Sequence, residues 1–202
     1  EVEYYGTDCI HAEERAQEIS KTTGATYISP YNDEAIICGQ GTLGLEINQD
    51  LNDVDSTFIS VGGGGLIGGV GGYLKSINNK TKMYGISPEN SCVMYESLKA
   101  GEQLDLPSKP TLSDGTAGGV EFGSITFQLC KDVIDEFAVV SEDEIIDGIR
   151  IGVEKHHQLI EGAAGTAIAG FLKYKSNLIG KTVVIVMCGG NISSEVLKTI
   201  LW

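Results

Sequence analysis

The stretch FISVGGGGLIGGV, residues 58–70, sets four consecutive glycines between an apolar β-branched run and a segment with helical periodicity. Glycine loses more conformational freedom on folding than any other residue. A run of it where a strand must turn implies either a disordered loop or something so close to the backbone that no Cβ fits. Strand, glycine loop and helix in this order aim free amide N–H groups and the positive end of a helix dipole at an anion, and a phosphate group fits best. On this reading Gly62, Gly63, Gly64 and Gly65 wrap the phosphate and a Cβ at position 64 would fill the cradle. Gly68, Gly69, Gly71 and Gly72 would let the helix lie close on a sheet. A tight turn with nothing bound is the plainer alternative.

The segments around this loop alternate in type. HAEERAQEISKTTG has helical spacing and can close at Gly24, whereas EVEYYG and ATYISPYND read as short strands. GQGTLGLEINQDL reads as a helix entered through glycines, STFISV as a buried strand, LIGGVGGYLKSI as a helix, TKMYGISPEN as a strand, and SCVMYESLKAGE as a helix ended by Gly101. A Pro-containing loop leads to a helix near residues 124–135 and the strand EFAVV. Ser141 and Glu144 then form a capping-box pattern at the head of another helix. EGAAGTAIAGFLKYK is a small-residue helix. KTVVIVMCGGN is so continuously β-branched that it predicts a central, parallel strand. The alternation gives an α/β fold with a mostly parallel twisted sheet flanked by helices.

Composition narrows the partners. A net charge of −14 disfavours nucleic acid and anionic membrane surfaces, and no stretch approaches the roughly 20 apolar residues of a membrane span. Cys9, Cys38, Cys92, Cys130 and Cys188 are odd in number and widely spaced, which suits reduced thiols in a cytoplasm better than a disulfide framework or a zinc site. The first residue is Glu1, and the opening reads as part of something longer.

Among phosphate-binding patterns, a Walker A loop is excluded: Gly180–Lys181–Thr182 has Lys175 where the first glycine belongs and leads into a strand. Gly63, Gly65 and Gly68, with Glu89 further on, meet the G-x-G-x-x-G dinucleotide pattern, so a nicotinamide-nucleotide oxidoreductase is one candidate. A glycine-rich run satisfies that pattern easily.

VVIVMCGGN, together with QGTLGLEI, LSDGTAGG and EGAAGTAIAG in the same order around the glycine loops, carries more weight. With these motifs the chain resembles the serine/threonine dehydratase and serine racemase branch of the fold type II pyridoxal-phosphate enzymes, and the resemblance runs through essentially the whole chain. It implies the tryptophan synthase β-like large domain over residues 43–202, preceded in residues 1–42 by the tail of a small cofactor-covering domain. It implies pyridoxal 5'-phosphate as cofactor, with its phosphate on Gly62 to Gly65 and the Leu66 amide. Gly115 passes near the cofactor, and Cys188 meets the pyridine nitrogen. A neutral thiol there does not hold the nitrogen protonated, and the ring is then a weaker electron sink. Without the resemblance Cys188 reads as a small buried hydrophobe. Glu161 corresponds to an acidic residue close to the cofactor, or else simply faces a helix dipole. His156 and His157 read as surface residues.

The resemblance also marks gaps. The family's lysine motif, which anchors the cofactor, and the loop that binds the substrate carboxylate match nothing in this sequence, so no catalytic residue is assigned. Racemase-like members hold a divalent cation with a glutamate where this chain has Ser87, and Val93 stands at a second ligand position, so no metal is expected. The chain therefore reads as the C-terminal part of a threonine/serine ammonia-lyase that converts a hydroxy amino acid to a 2-oxo acid and ammonia, inactive as it stands. Serine racemase or another hydroxy-amino-acid lyase is the near alternative, and a non-catalytic folded fragment the remote one. An intact enzyme would be a homodimer or higher homo-oligomer.

Overall fold

A computed structural model describes residues 2–51 and 53–201. Four parallel strands, β1 (Ser56–Ser60), β2 (Lys82–Pro88), β3 (Glu136–Val140) and β4 (Val183–Ile185), form one sheet in the order β3-β2-β1-β4. The helices are α1 (Cys9–Thr23), α2 (Glu34–Asp50), α3 (Gly65–Ile77), α4 (Val93–Ala100), α5 (Ile125–Val133), α6 (Glu142–His156), α7 (Gly162–Tyr174) and α8 (Ser194–Leu201).

Alternate residues of each strand serve opposite faces, as a pleated strand requires. Ile59, Val61, Met83, Val184 and Val186 join Ile67, Val70 and Leu74 of α3 and Cys130 and Val133 of α5 in one core. Phe58, Tyr84, Ile86, Val183 and Ile185 join Ile145 and Ile149 of α6, Ala164 and Ile168 of α7 and Ile200 of α8 in the other. The Phe58 and Tyr84 rings stack across β1 and β2 with centroids 4.4 Å apart.

Several local expectations hold. Gly24 and Gly101 close α1 and α4 in the left-handed conformation, and the Ser141–Glu144 capping box is formed in both directions. Others need correction. β4 is an edge strand, not a central one. Its β-branched composition reflects cover on both faces by the two cores, which says nothing about neighbours along its edges. Residues 2–6 of EVEYYG form no strand, Glu1 lying outside the described residues, and neither does ATYISPYND. Asp33, whose carboxylate accepts from the amides of Ala35 and Ile36, starts α2 at Glu34, ahead of its glycines, and the helix runs unbroken through residue 42.

The glycines of α3 do not act alike, and only Gly71 approaches the sheet, where a Cβ would lie 3.4 Å from Met83 Cε of β2. A Cβ on Gly69 would overlap Ile37 O of α2, whereas Gly68 and Gly71 face Leu129 and Val133 of α5, and Gly72 meets nothing within 4 Å. Gly69→Ala should therefore destabilise the fold by about 1–3 kcal/mol through overpacking. Gly72→Ala should stabilise it by up to about 1 kcal/mol through helix propensity. Urea denaturation of the two variants checks this contrast in sign.

Candidate functional site: a glycine cradle at the strand ends

The carboxyl ends of β1 and β4 open into a cavity of about 410 Å³, the position where parallel α/β sheets bind ligands. Its floor is Ser60 and the loop Gly62–Ile67, and its sides are residues 114–119, Glu161 and Cys188. Cys9, Glu13, Pro30 and Tyr31 close it from the N-terminal segment.

Gly64 is the N-cap residue of α3 and has no side chain to offer the first turn. Among the described residues no acceptor takes the amides of Gly63, Gly65, Leu66 or Ile67. Unpaired N–H groups at a helix start, opening on a cavity, are the donors that an anion site requires. The absence of side chains at 62–65 has a separate cause in the protein itself. A Cβ on Gly62 would lie 2.7 Å from Thr116 O, one on Gly63 would enter the Tyr31 ring, and one on Gly65 would lie 3.0 Å from Tyr31 Cα. Gly64 has φ +87°, and its Cβ would lie 2.6 Å from Cys130 Sγ, so a side chain there strikes the core and does not fill the cradle as expected.

The other residues singled out in the sequence converge on the same cavity. Gly115 lies in the 3-10 turn Asp114–Thr116, where a Cβ would be 3.1 Å from Glu161 Oε1. Glu161 is the N-cap residue of α7, and its carboxylate accepts from the Asn191 amide at 2.7 Å, so it is both a helix-end acid and a cavity wall. Cys188 follows β4 with Sγ 3.2 Å from Ser60 Oγ. Cys188 is exposed and so is not the buried hydrophobe its type suggests, yet desolvation of its sulfur in the cavity wall pushes the thiol pKa up, with Glu161 adding to the rise and the Ser60 hydrogen bond opposing it. His156 and His157 are exposed and lie outside the cavity lining. Ser87 is fully buried and donates to Val61 O at 2.7 Å. Glu89 does not line the cavity.

A model of one protein family, described as "Pyridoxal-phosphate dependent enzyme", matches residues 1–189. The chain belongs to this family. It is 42% identical to L-threonine ammonia-lyase of Thermotoga maritima over 190 residues, covering 94% of this chain and 47% of that protein. It is 34% identical to the catabolic L-threonine dehydratase TdcB of Escherichia coli K12, covering 95% of this chain and 59% of that protein. The processed form of threonine deaminase isoform 2 from Solanum lycopersicum superposes with a TM-score of 0.89 at 34% identity, over 98% of this chain and 58% of that one. Maize serine racemase superposes with a TM-score of 0.87 at 26% identity, over 98% and 61%. The chain thus spans about half the length of the relatives it matches.

The cofactor of this pyridoxal-phosphate family fits the site on an observation of its own: the unpaired amides at the start of α3 face a cavity large enough for the group. Among the described residues, no lysine, arginine or histidine lines that cavity. Sequence reasoning missed Ser60, Glu13 and Tyr31. SPYND reads as a strand end, and nothing in its spacing signals that Tyr31 reaches the glycine loop from some thirty residues away along the chain.

Glu13 is half-buried in the cavity wall. Burial pushes its carboxyl up to about 7 from an ordinary 4.5, the Tyr31 hydroxyl at 3.1 Å opposes the rise, and the charges of Glu121 and Asp8 add to it. A carboxyl with a higher pKa folded than unfolded penalises the fold when ionised. That penalty is complete above about pH 7 and vanishes below the unfolded value. Glu13→Gln should therefore stabilise the protein at about pH 8, by about 1 kcal/mol after allowance for solvent screening, and leave stability near pH 4 unchanged. Thermal denaturation across that pH range measures the difference.

Proposed function

We propose that this chain forms the cofactor-phosphate half of a pyridoxal-phosphate-dependent ammonia-lyase acting on a small hydroxy amino acid, threonine or serine. The observation that carries the reading is the set of unpaired amides at Gly63, Gly65, Leu66 and Ile67, opening on the same cavity as Cys188. The names of the threonine dehydratases and deaminases it resembles support the substrate class.

Bound pyridoxal phosphate supplies an electron-withdrawing ring that acidifies the α-carbon of an amino acid. This chain's own residues supply placement. The cradle amides would donate charge-assisted hydrogen bonds to the phosphate, and the α3 dipole would favour its negative charge. Gly115 and Ala163 line the space beside it without side chains that would intrude. Cys188 would face the ring nitrogen as an uncharged thiol, because its pKa is raised further above an ordinary value that already leaves the proton on sulfur at neutral pH. Ser60 holds that sulfur from the end of β1. The covalent anchor for the cofactor needs an amine, which no described residue of the cavity lining supplies. A racemase is the second reading, favoured by the superposition on maize serine racemase.

Pyridoxal phosphate should bind this chain reversibly, and inorganic phosphate should compete with it, because only the cradle grips it. Borohydride treatment should leave no pyridoxyl label on a cavity peptide, and 2-oxobutanoate release from L-threonine should be negligible. Equilibrium dialysis with each ligand and peptide mapping after reduction test these points. Tight NAD binding with no affinity for pyridoxal phosphate, or steady 2-oxo acid formation by this chain alone, would sink the reading.

A further inference from the structure

Glu121 is only 7% exposed, yet every partner of its carboxylate is neutral. Oε1 accepts from Gln17 Nε2 at 2.9 Å, Tyr27 OH at 2.8 Å and Ser29 Oγ at 3.5 Å, and Oε2 accepts from Asn32 Nδ2. Its own amide donates to Tyr31 OH at 2.7 Å, and that hydroxyl donates in turn to Glu13. All these side-chain partners lie within residues 13–32, and α1 itself buries no residue fully. The N-terminal segment is therefore joined to the loop before α5 across a polar seam, in which Asp8 also accepts from the Gly119 amide at 3.0 Å. Buried polar groups hold a geometry only while their partners are complete. What this seam holds in place is Tyr31, whose ring and main chain cover Gly63 and Gly65.

We propose that Glu121 is a positioning residue for the glycine cradle. Its carboxylate gathers residues 17–32 so that Tyr31 stays seated on Gly63 and Gly65, and the affinity of the cradle for a phosphate group depends on a side chain that does not line the cavity. The part concerning phosphate rests on the function proposed above; the seating of Tyr31 does not. Glutamine is a discriminating replacement. It matches glutamate in shape but puts an NH2 group against one set of donors. Asn32 cannot turn its amide to compensate, because Asn32 Oδ1 already accepts from the Ile125 amide at 3.0 Å.

The test uses the unaltered chain, Glu121→Gln and Tyr31→Phe, with two readouts. The first needs no ligand. One Gly63 Hα points into the Tyr31 ring, so its proton resonance should carry a ring-current shift in the unaltered chain. That shift should collapse in Glu121→Gln and shrink in Tyr31→Phe, which keeps the ring but loses its hydroxyl tether. The second is the dissociation constant for pyridoxal phosphate, which should rise roughly tenfold in Glu121→Gln, the scale of one lost hydrogen bond to a charged group. A lower melting temperature with the Gly63 shift and the affinity both unchanged would show a merely structural carboxylate and overturn the inference. A collapsed shift in a chain that never bound phosphate or pyridoxal phosphate would uphold the seating of Tyr31 and instead remove the phosphate reading. If Glu121→Gln does not fold, Tyr31→Phe decides, because an unchanged Gly63 shift and affinity there would overturn the inference equally.

Discussion

The approach of three neighbours to one loop governs this structure. Thr116, Tyr31 and Cys130 each press on the backbone of residues 62–65 at a distance that only a hydrogen in place of a side chain allows. The loop is thereby fixed between β1 and α3, where it lines the cavity and, among the described residues, no acceptor takes the amides of Gly63, Gly65, Leu66 and Ile67. Four glycines in an ordered segment carry an entropic cost. Here the cost is offset by a rigid, close-packed floor whose N–H groups stay available, a combination that a loop carrying side chains could not reach.

The electrostatics of the cavity follow from the same arrangement. Glu13, Asp114 and Glu161 line it and no basic side chain does, so any anion bound there relies on main-chain donors and a helix dipole. Removing its carboxylate from water explains why Glu13 is pushed up to about 7, and desolvation of its own sulfur raises the Cys188 thiol. Such a wall tolerates a phosphate on the amides but contributes nothing to hold a substrate carboxylate. That division of labour agrees with a chain that spans about half the length of its relatives.

Much of this was legible in the residues, and the reason is local physics. Strand–glycine–helix order, the Ser141 capping box and the glycine stops after α1 and α4 depend on neighbours a few positions apart, so a linear reading finds them. Gly62 to Leu66, Gly115 and Cys188 were found through motif order, and the structure brings them to one cavity. Apart from the start of α2, which the local Asp33 cap sets, the misjudged features discussed next depend on partners distant in sequence. The VVIVM run shows that both faces of β4 are covered, but its edge position is set by which strand pairs with β1. Gly69 is small for α2, and Gly68 and Gly71 are small for α5, which no periodicity within α3 can reveal.

The sequence by itself determined the α/β class, the strand–glycine–helix order of the loop, and the membership that its ordered motifs announce. These are properties of backbone propensity and residue spacing, and they are written along the chain. The tertiary structure alone decided the strand order, the reason each of the four glycines is a glycine, and the seam at Glu121 that seats Tyr31 over the loop. Packing and hydrogen bonding between residues some ninety positions apart are set by the three-dimensional meeting of surfaces, and spacing along a chain carries no record of them.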